Sequence, residues 1–145
     1  MKHTPAARSR ARRFALQALY QMQLSGCSAA DVESQFRQDF DMKRVDTAYL
    51  HDLLTGIDEE RVALVDTFVP ELDRPEAELG PVERAVLLIG TFELLHRIDI
   101  PFRVVINENV ELAKQFGGSE SHRLVNSVLD AVARQHRTVE TQSRG

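Results

Sequence analysis

Apolar residues recur every three or four positions along most of the chain, which is the spacing of one face of an α-helix. The first such stripe runs from Ser9 to about Leu24, and Ser25-Gly26 ends it. A shorter helix is predicted after Ser28, which forms with Asp31 a variant of the N-terminal capping box. Because no stretch alternates apolar and polar residues as a strand does, the pattern predicts an all-α fold.

Capping residues, glycines and prolines divide the rest of the chain into four further helices. Asp46 is the expected N-cap of a third helix, which Gly56 interrupts and Pro70 ends. The segment at residues 71–80 has little apolar content and is expected to be a surface connection. Pro81 then begins a helix that is apolar on several sides, as expected in the middle of a bundle.

Two last helices complete a predicted compact bundle of about six or seven helices. The first begins at Pro101 and ends at Gly117-Gly118, and Ser119 caps the second. The chain after His136 is polar and is expected to fray. We therefore expect a flexible basic arm at residues 1–8, a single helical domain at residues 9–137 and a polar tail at residues 138–145.

Length and composition agree with one globular domain, since the chain has 145 residues, of which 43% are hydrophobic and 28% charged. No apolar run reaches the roughly 18 to 20 residues that span a membrane, and no apolar segment of a secretory signal follows the basic N-terminus. The single cysteine, Cys27, excludes a disulfide framework and a cysteine-based zinc site. These observations predict a cytoplasmic protein.

The net charge of −4 conceals a strong segregation of charge along the chain. Residues 1–30 contain five basic residues and no acid, residues 31–83 carry a net charge of −10, and residues 84–145 carry +1. A basic N-terminal segment in an otherwise acidic protein indicates that one anionic ligand binds locally at that segment. The acidic remainder of the chain indicates a basic partner.

No motif in the sequence indicates catalysis. Glu93 and His96 form one Glu-x-x-His pair, but a di-iron bundle needs two such pairs and two further carboxylates. His96 is instead expected at the surface, near the C-terminus of its helix. Gly117-Gly118 follows a helix rather than a strand, so we expect a helix end and not a phosphate-binding loop. We predict no enzymatic activity, no cofactor and no metal.

The basic first helix is the best candidate for a binding surface. On a helical wheel, the face opposite its apolar stripe carries five residues with polar groups: Arg10, Arg13, Gln17, Tyr20 and Gln21. Arg12 lies at the edge of this face. One arginine guanidinium can donate two parallel hydrogen bonds to phosphate oxygens, and an exposed tyrosine offers a stacking surface for an unpaired base. This combination is typical of single-stranded RNA binding, although a solvated helix end that aids solubility has the same composition.

Four segments carry a resemblance to a known family over roughly residues 5 to 133. The start ARSRARRFALQALYQ, and the later ELGPVERAVLLIGTFELL, IPFRVVINENVELAKQFG and SHRLVNSVLDAVA, resemble the NusB family of bacterial transcription antitermination factors in order and spacing. The resemblance implies an all-helical protein without a cofactor or catalytic activity. It implies binding to the single-stranded boxA element of nascent ribosomal RNA, in a heterodimer with the small-subunit ribosomal protein NusE. It further implies that this heterodimer joins other Nus factors on RNA polymerase.

The resemblance also implies the residues of both interfaces. The RNA-binding positions of the family correspond to nine residues of this chain: Arg8, Arg10, Arg12, Arg13, Phe102, Arg103, Asn107, Glu120 and Leu124. The positions used towards NusE correspond to Tyr20 and Glu83.

Several positions depart from the pattern of the family. Ser9 interrupts the arginine run, which is expected to remove one phosphate contact, and Leu124 stands where an aromatic residue is common. Asn109 and Ser127 replace smaller residues, as packing adjustments would. For Asn107 the alternative is a buried hydrogen-bonding role within its helix.

Three rival hypotheses come from other classes of function. The arginine face could be buried in a homodimer until NusE displaces the second copy. A similar module begins certain ribosomal RNA cytosine methyltransferases, but 145 residues leave no room for a cofactor-binding domain. A helix-turn-helix DNA-binding protein would carry its basic residues on a helix that follows a tight turn, whereas here they begin the first helix.

Overall fold

A computed structural model describes residues 3–142, and all regular structure in that range is helical. The α-helices of this range are α1 (Pro5–Ser25), α2 (Ala29–Asp39), α3 (Thr47–Phe68), α4 (Pro81–His96), α5 (Phe102–Phe116), α6 (Ser121–His136) and α7 (Thr138–Gln142). Short 3-10 turns at Val69–Glu71 and Glu76–Glu78 lie between α3 and α4 and bury no residue, as expected of a surface connection. The prediction of an all-α fold is confirmed. Residues 1–2 of the expected arm and 143–145 of the expected tail lie outside the described residues.

The chain forms two compact units, and the division between them falls within α3, between Glu60 and Arg61. The first unit contains α1, α2 and the first part of α3. The second contains the end of α3 and all the helices that follow it.

The first helix begins earlier than its apolar stripe indicates. Thr4 Oγ1 accepts the Ala7 N–H (3.0 Å), and Pro5 occupies the first turn, so α1 starts at Pro5 and not at Ser9. The helix ends as predicted, because Gly26 adopts a left-handed conformation (φ 75°) in which its N–H reaches the Met22 carbonyl.

The predicted caps of α2 and α3 are confirmed. Ser28 Oγ accepts the Asp31 N–H (3.1 Å), and the buried Asp46 Oδ1 accepts the Tyr49 N–H (3.0 Å). The prediction that Gly56 interrupts α3 is wrong, since the helix continues through it to Phe68. A single glycine lowers helix stability by only about 1 kcal/mol, which the buried residues around it offset.

In the second unit, α4, α5 and α6 pack against one another. All ten residues from Ala85 to Leu94 of α4 are buried, which confirms the predicted central helix. Gly90 allows α6 to approach closely, because a Cβ atom added there would lie 2.5 Å from Leu129 Cδ1.

The connection between α5 and α6 differs in detail from the prediction. The helix α5 ends at Phe116 as expected, but the N-cap of α6 is Glu120 and not Ser119. Ser121, the first residue of α6, uses its Oγ to accept the Gly118 N–H (3.0 Å), and Ser119 lies within the turn between these two residues. Gly117 is required for a steric reason, since an added Cβ atom would lie 2.7 Å from Ser121 Cβ.

The prediction that the chain frays after His136 is wrong for the described residues 137–142. Arg137 is buried, and its guanidinium donates to four backbone carbonyls at and beyond the end of α4: Glu93, Leu94, Arg97 and Ile100. It also donates to Glu140 Oε2 of α7 (2.6 Å). Glu140 Oε1 in turn accepts the Phe102 N–H (3.1 Å) at the start of α5. Hydrogen bonds therefore hold the segment both to the end of α4 and to the start of α5.

Candidate nucleic-acid interface

The polar face predicted for α1 lies at the surface of the first unit. Arg13, Gln17 and Tyr20 are exposed, with 39% of Tyr20 accessible, and they form one stripe along the helix. Arg10 and Gln21 are half-buried beside it. The stripe offers a cation, an amide and an aromatic ring in succession, and α1 contains no acidic residue.

The four arginines of α1 divide into two pairs. Arg12 is only 3% exposed, and its guanidinium carbon lies 5.6 Å from the centre of the Tyr49 ring. Arg8 is held at the same ring, 4.9 Å from its centre, and its Nε lies 3.8 Å from Asp46 Oδ2. Arg13 is exposed, and Arg10 is half-buried with its Nη1 bonded to the Arg44 carbonyl. Of the four arginines of α1, the structure therefore presents Arg13 most openly.

The segment before and at the start of α3 contacts the arginine-rich part of α1 at several points. The Arg44 carbonyl accepts from Arg10 Nη1 (3.2 Å), the Asp46 N–H donates to the Ala7 carbonyl (3.2 Å), and Tyr49 lies under both held guanidinium groups. Sequence analysis did not identify Tyr49 as part of the site. The helical period of α1 carries no information on which residue of another helix it meets.

In the second unit, α5 presents two of the predicted RNA-binding residues to solvent. Arg103 and Asn107 are both exposed and lie one turn apart, whereas Phe102 is only 7% exposed. The Arg103 guanidinium carbon lies 5.3 Å from the centre of the Phe102 ring. The α5 surface therefore offers a cation and an amide, while the Phe102 ring is buried beneath the cation.

The alternative of a buried role for Asn107 is wrong, and Asn109 has that role instead. Asn109 is fully buried, and its Nδ2 donates to Glu93 Oε1 and to the Val105 carbonyl, both at 2.9 Å. The side chain at position 109 thus donates a hydrogen bond to the buried Glu93 carboxylate of α4 and does not only adjust the packing.

The two predicted residues at the start of α6 differ in exposure. Glu120 is exposed, whereas Leu124 is 6% exposed and belongs to the buried stripe of the helix. Both line a cavity of about 210 Å³ together with Glu71, Asp73, Arg74, Arg123, Ser127 and Val128. Arg74 Nε donates to Asp73 Oδ1 (2.9 Å), which lowers the pKa of the Asp73 carboxyl and raises that of Arg74.

Of the two residues expected at NusE, Tyr20 is exposed in the first unit and Glu83 is half-buried in the second. Both carboxylate oxygens of Glu83 have internal partners: Oε1 accepts the Gly80 N–H (2.9 Å) and Oε2 accepts the Ser121 hydroxyl (2.7 Å). Glu83 thus joins the start of α4 to the start of α6, whatever else it contacts.

The described residues contain no group of three His, Cys, Asp or Glu side chains placed to hold a metal ion. Glu93 of the Glu-x-x-His pair is buried against Asn109, and His96 is exposed at the end of α4 with its ring 5.1 Å from that of Phe92. The surface position predicted for His96 is confirmed. Within residues 3–142, no helix is both long and apolar enough to cross a membrane.

Comparison with known proteins gives one consistent family. Residues 9–134 match the model of the NusB family. The chain is 51% identical over 141 residues to the transcription antitermination protein NusB of Alcanivorax borkumensis, covering 97% of this chain and 94% of that protein. The NusB of Marinobacter nauticus is 48% identical over 137 residues, covering 94% and 87%. The structure of T. maritima NusB superposes with a TM-score of 0.77 at 31% identity, over 92% of this chain and 93% of that one. The chain therefore belongs to the NusB family.

Proposed function

We propose that this protein is a transcription antitermination factor that binds the single-stranded boxA element of nascent ribosomal RNA. It acts in the cytoplasm, without cofactor or catalysis. It binds boxA together with NusE and then joins the other Nus factors on RNA polymerase. The observation that carries the proposal is the stripe Arg13, Gln17, Tyr20 on α1, which lies exposed in a chain that belongs to the NusB family.

The chemistry of this stripe supports RNA as the ligand. Arg13 and Arg10 supply cations for phosphate oxygens, and the exposed ring of Tyr20 is available to a base or to a protein partner. A single strand is favoured over a duplex, because its unstacked bases expose both their faces and their hydrogen-bonding edges. The exposed Arg103 and Asn107 on α5 supply a cation and an amide of the second unit.

The charge distribution supports a basic protein as the partner. Residues 31–83 carry a net charge of −10, and many of their acidic side chains are exposed. A basic ribosomal protein is attracted to such exposed acidic groups, and this attraction chiefly raises the association rate and orients the encounter. Because RNA bound across two proteins contacts a larger surface, the heterodimer is expected to bind boxA more tightly than this chain alone.

The test is a fluorescence-anisotropy titration of a short boxA RNA and a scrambled RNA of equal length, with and without NusE, at several salt concentrations. We expect a preference for boxA, tighter binding with NusE and weaker binding as salt rises through counterion release. Equal affinity for boxA and scrambled RNA in the presence of NusE would refute the proposal.

A matched pair of variants separates local contacts from net charge. Arg13→Ala and Arg134→Ala each remove one exposed arginine, the first from the proposed interface and the second from α6. Arg13→Ala is expected to weaken boxA binding and to lower the slope of log affinity against log salt by about 0.7, the value per phosphate contact on a single strand. Arg134→Ala is expected to leave both quantities unchanged. Light scattering on the free protein reports in parallel whether a homodimer competes for this surface.

A further inference from the structure

The arginine-rich start of α1 contains cations of two kinds, which differ in what their guanidinium groups contact. Arg13 is exposed to solvent, whereas Arg12 is 3% exposed and lies over the Tyr49 ring. Tyr49 is itself 3% exposed, so the face of its ring is covered by the protein and is not available to a base. Because Arg12 is buried, a phosphate could reach its guanidinium only if the side chain moved.

We propose that Tyr49 is a positioning residue, which holds Arg8 and Arg12 as internal supports so that Arg10 and Arg13 are presented to RNA. This inference rests on the proposed function. The Tyr49 ring receives guanidinium groups from two successive turns of α1, at 4.9 Å and 5.6 Å from its centre. These distances are within the range in which a cation is attracted to the face of an aromatic ring.

The neighbours of Tyr49 fix the same part of α1 through hydrogen bonds and charge. Asp46 donates its N–H to the Ala7 carbonyl, and its Oδ2 lies 3.8 Å from Arg8 Nε and 3.2 Å from His3 Nδ1. Since Asp46 Oδ1 also caps α3, the position of α1 is tied to the first turn of that helix. The Arg10 side chain is positioned by a hydrogen bond from its Nη1 to the Arg44 carbonyl (3.2 Å). This bond is long and lies at the surface, so water or a phosphate can replace the carbonyl as the acceptor.

Supporting and contacting arginines differ in a measurable quantity, the dependence of RNA affinity on salt. A residue that neutralises a phosphate releases counterions and therefore contributes to the slope of log affinity against log salt. A residue that only holds the helix in place changes the affinity without changing the slope. Arg12→Met and Arg13→Met remove the same charge from adjacent positions of one helix, so each is the control for the other.

The experiment titrates boxA RNA with the wild-type chain and these two variants, in the presence of NusE, across a series of salt concentrations. Arg13→Met is expected to lower the slope by about 0.7. Arg12→Met is expected to keep the wild-type slope and to weaken binding roughly three- to tenfold, since a loosened support leaves Arg13 and Arg10 less ordered. Equal losses of slope in both variants would overturn the inference, because Arg12 would then be a phosphate contact, and so would an unchanged affinity for Arg12→Met.

Two substitutions of Tyr49 test the support directly. Tyr49→Phe keeps the ring and is expected to bind boxA as the wild type does, whereas Tyr49→Leu keeps the apolar character, loses the ring and is expected to weaken binding at constant slope. Far-ultraviolet circular dichroism establishes that each variant is folded, and if Tyr49→Leu is not, the Arg12→Met and Arg13→Met pair decides. Equal binding of boxA by Tyr49→Leu and the wild type would overturn this inference and leave the proposed function standing. Failure of the wild-type heterodimer to bind boxA would refute the proposed function and this inference with it.

Discussion

Arg137 provides the sharpest test of how the second unit is held together. The substitution Arg137→Met keeps a long unbranched side chain but removes donors to the Leu94 and Ile100 carbonyls (2.8 and 2.9 Å) and to Glu140. The Glu93 and Arg97 carbonyls lose a donor as well, but they also accept backbone N–H groups from Arg97 and Ile100. The largest losses therefore fall on Leu94, Ile100 and Glu140.

The expected cost follows from the groups left behind. A buried carbonyl without a partner costs about 1–3 kcal/mol, and two carbonyls are affected most. Removing one partner of a buried ion pair costs about 3–5 kcal/mol, but Glu140 is half-buried and water compensates part of this. Together these effects predict a loss of about 3–5 kcal/mol in the free energy of unfolding. Arg137→Lys keeps the charge but not the planar fork of donors, and is expected to cost less than Arg137→Met.

The assay is urea denaturation followed by circular dichroism, with native-state hydrogen exchange to locate the effect. The matched control is Arg134→Met in the last turn of α6, where an exposed arginine pairs with Asp130 four residues before it. That pair is expected to contribute less than about 0.5 kcal/mol. Exchange should accelerate at the end of α4 and the start of α5, and not in α1. A loss below about 1 kcal/mol for Arg137→Met would show that the hydrogen bonds contribute little, and the reasoning would be wrong.

Three further substitutions test the packing and the caps by the same denaturation assay. Gly90→Ala places a methyl group against Leu129 and should lower stability by about 1–3 kcal/mol, whereas a gain from helix propensity would show that α6 moves freely. Ser28→Ala removes the N-cap of α2 and should cost about 1 kcal/mol, and no loss would mean that water replaces the hydroxyl. Asn109→Ala should lower the free energy of unfolding by about 1–3 kcal/mol, because it removes a donor to a buried carboxylate. Asn107→Ala, at an exposed position of the same helix, should lower it by under about 0.5 kcal/mol. Equal losses in the two variants would contradict the assigned burial.

The fold was predictable from sequence where the signal is local. Helix period and capping residues are properties of one segment, which is why the all-α fold, the cap at Ser28 and the burial of α4 were predicted correctly. Helix starts were less certain, because an apolar stripe marks only the residues that face the core. The first turn of α1 is polar or small at most positions, so its start is marked only by the Thr4 cap and by Pro5 at the first helical position.

The errors arose where a residue's partner lies far along the chain. A helical wheel placed Arg12 beside a solvent-facing surface, but Tyr49, on another helix, covers it. The polar segment after His136 has the composition of a frayed tail, yet Arg137 finds acceptors about 40 residues earlier, at the end of α4. In both cases the local pattern of polar residues indicates a surface, whereas the many donors of arginine also suit it to a buried position with several acceptors. Its partners there cannot be read from the local pattern.

The close approach of α4 and α6 at Gly90 also restricts how sequences of this family can change. A side chain at position 90 needs space that Leu129 occupies, while loss of volume at position 129 alone leaves a cavity. The two positions are therefore epistatic, and the order of substitution matters. A smaller residue at position 129 is the permissive step, and alanine at position 90 becomes acceptable only after it. Lineages in which position 90 is not glycine should thus carry the record of an earlier change on α6.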